Sequence, residues 1–416
     1  MGGALGLQSP APTLPPPTPR RNQFHQAAGW AHRTAPPAVG WHTAAMSTPE
    51  RVLVVGGTGP TGVPLVQGLV DRGHRVTILH RGTHEDPVTP AAVEHVHADP
   101  YDADSLRDAL GSRRFDLSVV MYGRLRAIAD ALIGRTGRFV SVGGVPAYRG
   151  YMNPYLPDPP GLPVPIAESA PLVREPAEDE KGYRIVRTEE AVFEAHPDAT
   201  HFRYPYVYGP RQLVPREWCV VRRVLDGRER IIVADEGLTL HHHAFTENCA
   251  HALLLAIDQP DAAAGQILNV GDDEVLTVRQ VIDLVAAELG HRFEIVSMPY
   301  GLAVPARPLL MQPLPTHRVL DLTAIRSRLG YRDAVPAREA LARTARWLAA
   351  NPHDRGGTEE AILTDPFDYA AEDQLIASWQ ASVRTVEVPQ FATEPRYGLA
   401  YSGPGGRPRT QEVFEP

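Results

Sequence analysis

Short apolar runs alternate with amphipathic stretches between residue 51 and about residue 142. The runs are rich in β-branched residues and predict strands at 51–55, 75–80, 117–120 and 138–142. The stretches between them have helical spacing and predict helices at 62–71, 104–110 and 125–133. Because strands that alternate with helices form parallel sheets, the pattern predicts an α/β fold with a Rossmann-type, doubly wound parallel sheet.

The remaining chain divides into further regions. A proline-rich loop at 151–176 precedes a predicted helix at 184–195 and a strand at 200–204. Later patterns predict helices at 217–226, 247–257, 278–289 and 337–350, and a strand at 266–270. We assign residues 47–205 to a dinucleotide-binding domain, which also receives elements from about 231–271, and 206–350 to a smaller, mainly substrate-binding C-terminal region. Residues 351–416 are expected to be an extension that packs in part against the main body.

The first 46 residues differ in composition from the rest. They contain proline runs and no sustained apolar period, which is typical of disorder. Met46-Ser-Thr directly precedes the first predicted strand, so we interpret 1–46 as a disordered or over-extended N-terminus.

Composition excludes several classes of protein. The 416 residues are 43% hydrophobic and 22% charged, as in globular proteins, and the net charge of −8 argues against a nucleic-acid partner. No apolar stretch is long enough to predict a membrane span. Two cysteines cannot build a disulfide framework, so a reducing cytoplasm is the expected location.

A glycine-rich turn follows the first predicted strand. The segment reads Val52-Leu-Val-Val-Gly56-Gly-Thr-Gly59-Pro-Thr-Gly62 and leads into a predicted helix. Such a strand–turn–helix unit holds the pyrophosphate of a dinucleotide at the helix N-terminus. The predicted contacts in this turn are Gly56, Thr58, Gly59, Pro60, Thr61 and Gly62.

The end of the second predicted strand bears on the choice of cofactor. NAD-selective sites place a carboxylate there, whereas this chain has His80 followed by Arg81. A cationic side chain can pair with a 2′-phosphate, so NADP(H) is favoured over NAD(H). Asp99 follows a further presumed strand, between those predicted at 75–80 and 117–120, and is expected near the adenine.

Three motifs together resemble the extended short-chain dehydrogenase/reductase family of NAD-dependent epimerases, dehydratases and reductases. They are the glycine-rich turn, Arg203-Tyr-Pro-Tyr-Val-Tyr208-Gly209-Pro210-Arg211, and Asn269-Val-Gly271-Asp-Asp. The resemblance covers about residues 51–350. It implies that Tyr206, in the second motif, lies at the nicotinamide end, and that a homodimer can form through helices on one face of the sheet.

The catalytic residues that the resemblance implies are altered. The family uses Tyr-x-x-x-Lys, whereas the matching segment here places Tyr183 before Arg187, and Lys181 is the only lysine in the sequence. The family's Ser or Thr position falls on Gly144, which leaves Ser141 as the nearest hydroxyl. We therefore predict Tyr183, Arg187 and Ser141 as the catalytic set, with arginine supplying the positive charge that activates the tyrosine.

These features favour an NADP(H)-dependent oxidoreductase that acts on the carbonyl or alcohol of a small metabolite. Two alternatives stay open: a nucleotide-sugar epimerase/dehydratase with retained NAD, and a non-catalytic dinucleotide-binding sensor or scaffold. His241-His242-His243 has no recognisable metal-ligand spacing with a carboxylate or cysteine, so no metal site is expected.

Overall fold

The computed structural model describes residues 48–82, 89–121, 124–392, 398–399 and 409–410. These residues belong to one compact unit. The expectation of disorder for residues 1–46 lies outside the described residues. Of the helices in the described part of the chain, none combines the length and apolar content that a membrane span requires.

The strands, in chain order, are β1 (Arg51–Val55), β2 (Arg75–His80), β3 (Glu94–His97), β4 (Phe115–Val120), β5 (Thr136–Gly144), β6 (Thr200–Tyr204), β7 (Tyr206–Tyr208), β8 (Arg230–Ala234), β9 (His243–Phe245), β10 (Ile267–Asn269), β11 (Glu294–Met298), β12 (Gly398–Leu399) and β13 (Arg409–Thr410).

The α-helices are α1 (Gly62–Asp71), α2 (Ala103–Leu110), α3 (Leu125–Ala131), α4 (Glu180–Ala195), α5 (Trp218–Leu225), α6 (Thr246–Asp258), α7 (Pro260–Ala263), α8 (Val278–Glu288), α9 (Arg307–Leu310), α10 (Thr323–Leu329), α11 (Ala337–Ala350), α12 (Thr358–Leu363) and α13 (Tyr369–Arg384).

Seven strands form a parallel sheet in the order β10-β6-β5-β4-β1-β2-β3. Alternate residues of the central strands point to opposite faces: Val52 and Val54 pack with α1 and α6, whereas Leu53 and Val55 pack with α2, α3 and α4. The predicted doubly wound α/β sheet is confirmed, and the predicted β1, α1 and β2 have the observed bounds.

The C-terminal region has a core of its own. Two parallel strand pairs, β7 with β9 and β8 with β11, pack with α5, α8 and α11 around Trp218, Phe245 and Ile282. This region follows the turn after β6, so it stands at the carboxyl edge of the sheet. Parallel α/β sheets bind ligands at that edge.

The C-terminal extension is anchored by buried ion pairs. Arg223 on α5 is 2% exposed and donates to both oxygens of Asp365 at 2.7 and 3.1 Å. It also bonds Glu372 on α13 at 2.5 Å. Ile376, fully buried, adds an apolar contact between α13 and the β8–β11 pair. The predicted packing of the extension is therefore present, and α12 and α13 carry it.

Replacement of Arg223 tests this anchor. Arg223→Met leaves two buried carboxylates without their cation, which costs about 3–5 kcal/mol. We expect a loss of that size in the free energy of unfolding, measured by urea denaturation, together with faster proteolysis between α12 and α13. Arg343→Met is the matched control, because Arg343 pairs with Glu339 at the surface and such pairs contribute about 1 kcal/mol or less. Equal losses in both variants would contradict the anchor.

Candidate cofactor and substrate site

The glycine-rich turn connects the end of β1 to the start of α1 and is held against β4. Gly56 has φ +94°, and a Cβ there would lie 2.9 Å from the carbonyl oxygen of Met121. A Cβ on Gly62 would lie 2.5 Å from the carbonyl oxygen of Gly56. Both positions therefore require glycine, since a side chain would collide with backbone.

The same turn leaves room for a phosphate. At Gly59 an added Cβ would meet only the carbonyl oxygen of Gly56 at 3.5 Å, so the turn is open on its outer side. Thr61, the N-cap of α1, makes no side-chain hydrogen bond to the first helical turn, and the helix presents its positive dipole end there. The predicted set at Gly56, Thr58, Gly59, Pro60, Thr61 and Gly62 thus fits a dinucleotide pyrophosphate.

His80 is engaged within the protein. Its Nδ1 accepts the Gly82 amide proton at 3.2 Å, so its Nε2 carries the proton and donates to His95 Nδ1 at 2.9 Å. The His80 ring is thus directed toward β3, and its predicted contact with the cofactor stays a prediction. Arg81 is exposed at the end of β2, where it remains available to a 2′-phosphate.

Asp99 closes a turn after β3. Its carboxylate accepts the Tyr101 amide proton at 3.0 Å, and the side chain is exposed at the carboxyl edge of the sheet. The predicted contact with adenine stays a prediction.

Ser141, predicted as catalytic, is fully buried in β5. Its hydroxyl oxygen lies 2.8 Å from His201 Nδ1, and His201 is also fully buried. The serine hydroxyl therefore joins β5 to β6, and its role in orienting a substrate stays a prediction.

A buried ion pair sets the rotation of α4. Glu189 receives two hydrogen bonds from Arg203 on β6, at 2.9 and 2.6 Å, and both side chains are at least 96% buried. Burial alone would raise the pKa of Glu189, but the bonds and charge of Arg203 outweigh it and lower the pKa. Gly182 lies on the same face of α4 and packs against the turn that follows β5. A Cβ at Gly182 would lie 2.5 Å from the carbonyl oxygen of Pro146 in that turn. Glu189 and Gly182 thus define the buried face of α4, and with it the side chains that lie on the two flanks of the helix.

The two flanks of α4 carry different residues. Because successive helical residues are about 100° apart, Lys181, Ile185 and Thr188 lie on one flank. Tyr183 and Arg187 lie on the other flank. Arg187 is exposed and bonds Glu190, and Tyr183 is half-buried.

A cavity of about 720 Å³ opens on the Lys181 flank, between α3, α4 and the carboxyl end of β5. Its floor includes Val142, Gly143 and His201. The residues that line it are Tyr101, Arg124, Leu125, Arg126, Ala127, Val142, Gly143, Lys181, Arg184, Ile185, Thr188 and His201. The volume is that of a typical small-molecule site, and four cationic side chains make it suited to an anion.

Among the described residues that line this cavity, Tyr183 and Arg187 do not occur. The ion pair of Glu189 with Arg203 holds both on the other flank of α4, and their role as a catalytic pair stays a prediction. Lys181 and Ile185 take the cavity-facing positions at the same four-residue spacing. Counting four and eight residues back from Glu189 along the sequence would have identified Ile185 and Lys181.

Tyr206 belongs to a buried polar cluster in the C-terminal region. Its hydroxyl bonds the Val214 carbonyl and accepts the Arg216 amide proton at 2.7 Å, and the Arg216 guanidinium lies 3.4 Å from its ring centroid. These partners lie in the C-terminal region, and the predicted contact of Tyr206 with the cofactor stays a prediction.

The three consecutive histidines alternate as strand geometry requires. His241 and His243 accept hydrogen bonds from Arg216 at 3.2 and 2.9 Å, whereas His242 bonds the Asp272 carbonyl on the opposite side at 2.8 Å. Burial, with the charge of Arg216, holds the pKa of His241 and His243 well below its ordinary value. His241 and His243 are therefore neutral hydrogen-bond partners of Arg216.

Known proteins that are similar in sequence or in fold include a reductase and several epimerases. A 3-diazoavenalumate denitrifying reductase from a Streptomyces species is 27% identical over 324 residues, which cover 74% of this chain and 98% of that protein. A UDP-glucose 4-epimerase from Thermotoga maritima has a TM-score of 0.59 at 17% identity, covering 73% of this chain and all of that one. The enzyme WbmG of Bordetella bronchiseptica, solved with NAD, has a TM-score of 0.56 at 18% identity and covers 73% and 95%. No protein-family model matches the chain.

The chain has the fold of an extended short-chain dehydrogenase/reductase. The resemblance that the motifs predicted is thereby confirmed. The prediction of an enzyme in the oxidoreductase or epimerase/dehydratase group is likewise confirmed by the reductase and synthase names among the relatives. A chloroplast stem-loop binding protein of Arabidopsis thaliana is also similar, at 23% identity over 56% of this chain and 61% of that protein.

Gly62 gives a sharp test of the glycine-rich turn as a cofactor site. In Gly62→Ala the methyl group collides with backbone of residues 56 and 57, which cannot rotate away. We expect at least tenfold weaker NADPH binding in a fluorescence titration, roughly 1.4 kcal/mol or more. Gly301→Ala is the control, because a Cβ there meets no atom within 4 Å. Unchanged binding in Gly62→Ala would show that the cofactor lies elsewhere.

Proposed function

We propose that this chain is an NADP(H)-dependent reductase of a small anionic metabolite, and that it transfers hydride without a tyrosine as proton donor. The observation that carries this proposal is the lining of the cavity beside β5. Lys181 and Ile185 occupy the helix flank where a Tyr-x-x-x-Lys pair would be expected, and Gly143 and Gly144 end the strand. The cavity is therefore basic and has no tyrosine hydroxyl on its α4 wall.

The glycine-rich turn is the proposed pyrophosphate site, and Arg81 is the proposed partner of a 2′-phosphate. A guanidinium binds phosphate through paired, charge-assisted hydrogen bonds. When bound, the reduced nicotinamide supplies a hydride. The contribution of this chain is to hold and orient the two reactants at the carboxyl edge of the sheet.

The α4 wall favours an acceptor that needs hydride alone, because Lys181 and Ile185 stand there in place of a Tyr-x-x-x-Lys pair. Reduction of a carbonyl also requires a proton, which family members obtain from a tyrosine made acidic by a neighbouring cation. An aryl diazonium carbon requires none: hydride forms the C–H bond, the C–N bond breaks, and its electron pair leaves with N₂. Lys181, Arg124 and Arg184 would hold a carboxylate of the same substrate.

The reductase from Streptomyces supports this substrate class. Its name includes a diazo compound and a denitrifying reduction, and the match extends over 98% of its length. We infer that this chain acts on a carboxylated diazo compound, or on another acceptor that takes up hydride without a proton.

A nucleotide-sugar epimerase/dehydratase with retained NAD is the second candidate, favoured by the fold shared with UDP-glucose 4-epimerase. Those reactions move protons at a sugar hydroxyl, for which the α4 wall offers no tyrosine. The cofactor that co-purifies separates the two: tightly held NAD supports the epimerase, and exchangeable NADPH supports the reductase. A non-catalytic binding protein is the third, favoured by the stem-loop binding relative; it would bind cofactor and turn over no substrate.

Arg81 is expected to decide between the two cofactors. In Arg81→Ala the loss of a charge-assisted bond to a 2′-phosphate should weaken NADPH binding by about tenfold or more, with NADH affinity little changed. Arg75→Ala is the matched control, since Arg75 is an exposed arginine at the opposite end of β2, roughly 20 Å away. A parallel loss for both cofactors in Arg81→Ala would argue against 2′-phosphate recognition.

Lys181 and Tyr183 make a paired test of the reaction. With a carboxylated diazophenol and NADPH, we expect Lys181→Met to lower kcat/KM by about tenfold or more, through the lost charge-assisted contact. Tyr183→Phe should stay within about twofold, because Tyr183 lies on the other flank of α4. Product arene and N₂ are measured against a reaction without enzyme.

The outcomes of this test are distinct. A large loss in Tyr183→Phe would restore the ordinary tyrosine mechanism and overturn the proposal. Tight NADPH binding without turnover of diazo or carbonyl substrates would favour the non-catalytic alternative.

A further inference from the structure

Three histidines meet at the carboxyl ends of β2 and β3. His80 ends β2, and His95 and His97 are the second and fourth residues of β3. His80 is 7% exposed, His95 is half-buried and His97 is exposed, so the group extends from the edge of the core to the surface. Neither the glycine-rich turn nor the cavity beside β5 includes His95 or His97.

Strand register brings these side chains to one face. His97 is paired with His80 across the parallel ladder, and His95 is paired with Ile78. Because side chains two residues apart on a strand share a face, His95 and His97 project together, and His80 projects beside them. Ring centroids of His80 lie 5.1 Å from His95 and 4.8 Å from His97.

The nitrogen atoms are spaced for a shared ligand. One ring nitrogen from each histidine lies within 4.8 Å of the other two, and His80 Nε2 is 2.9 Å from His95 Nδ1. Ligands of a tetrahedral ion with Zn–N bonds of about 2.0–2.1 Å are roughly 3.3 Å apart. Small rotations of the imidazole rings therefore suffice to reach that spacing, while the ladder stays in place.

We propose that His80, His95 and His97 bind a divalent transition-metal ion of the zinc class, with water completing the coordination. Neutral imidazole is a preferred ligand of such ions, and three ligands leave the fourth position open. No metal was expected from the sequence, because the consecutive histidines 241–243 lack ligand spacing; the His-x-His of β3 is a different pattern.

The ion would tie the edge strand β3 to β2. An edge strand has only one neighbour in the sheet, and β3 has four residues. Metal that binds the native state alone stabilises it by mass action, so thermal stability should rise with metal concentration. This role is independent of the proposed reduction.

The test uses the full-length chain without a polyhistidine tag, freed of metal with a chelator and then dialysed. Co²⁺ is titrated while its visible d–d absorption is followed, and Zn²⁺ is then added to displace it. We expect one ion per chain, displacement by Zn²⁺, and a higher Tm in the presence of Zn²⁺. His95→Asn and His97→Asn should each weaken Co²⁺ binding by at least about tenfold.

His291→Asn is the matched control, because His291 is half-buried against Phe293 and lies outside the group. It should bind Co²⁺ as the wild-type chain does. Equal affinity and stoichiometry in the wild-type chain and in a His95→Asn/His97→Asn double variant would overturn the proposal, as would absent binding in the wild type. Circular dichroism and the NADPH titration, run on the same samples, separate loss of metal from loss of fold or of the cofactor site.

Discussion

The ion pair between Glu189 and Arg203 determines the chemistry that this fold presents. It is buried between α4 and β6, and each carboxylate oxygen receives a guanidinium proton. A buried pair of this kind has one favourable geometry, because either charge left alone would be strongly destabilised. The helix is therefore held at one rotation, and that rotation places Lys181 and Ile185 beside β5. Arg203 also stacks on Tyr148, whose hydroxyl donates to Asn269, so the pair links the turn after β5 with β6 and β10.

The cavity on the Lys181 flank of α4 depends on the short length of α3. The connection between β4 and β5 contains a helix of only seven residues, Leu125–Ala131. Its first turn reaches α4, and the space between the two helices is the cavity at the carboxyl end of β5. The glycine-rich turn opens at the same edge of the sheet, since Met121, after β4, packs against Gly56. The glycine-rich turn and the cavity thus lie at the same edge of the sheet, because the parallel strands end there together.

The C-terminal half supplies rigidity by burying arginines. Arg216 holds two neutral histidines, the Leu309 carbonyl and the ring of Tyr206, which joins β7, the segment before β9, and α9. Arg223 holds Asp365 and Glu372 of the extension. Guanidinium groups suit this task because their planar donors satisfy several partners at fixed angles. Arginines that seemed scattered along the sequence are therefore the connections between its regions.

The sequence by itself determined the sheet, its helices and the glycine-rich turn. Those features depend on local periodicity and on glycines whose need is set by neighbouring backbone, so β1, α1, β2 and β6 could be located residue by residue. The partners of single side chains were decided by the tertiary structure. Tyr183 and Arg187 have the spacing of a catalytic pair, yet spacing on one helix leaves its rotation open, and only the contact with Arg203 on β6 sets it. His80 likewise has the position of a cofactor contact, but the register of β2 with β3 brings it to His95, and register is a property of two segments that the sequence alone does not align.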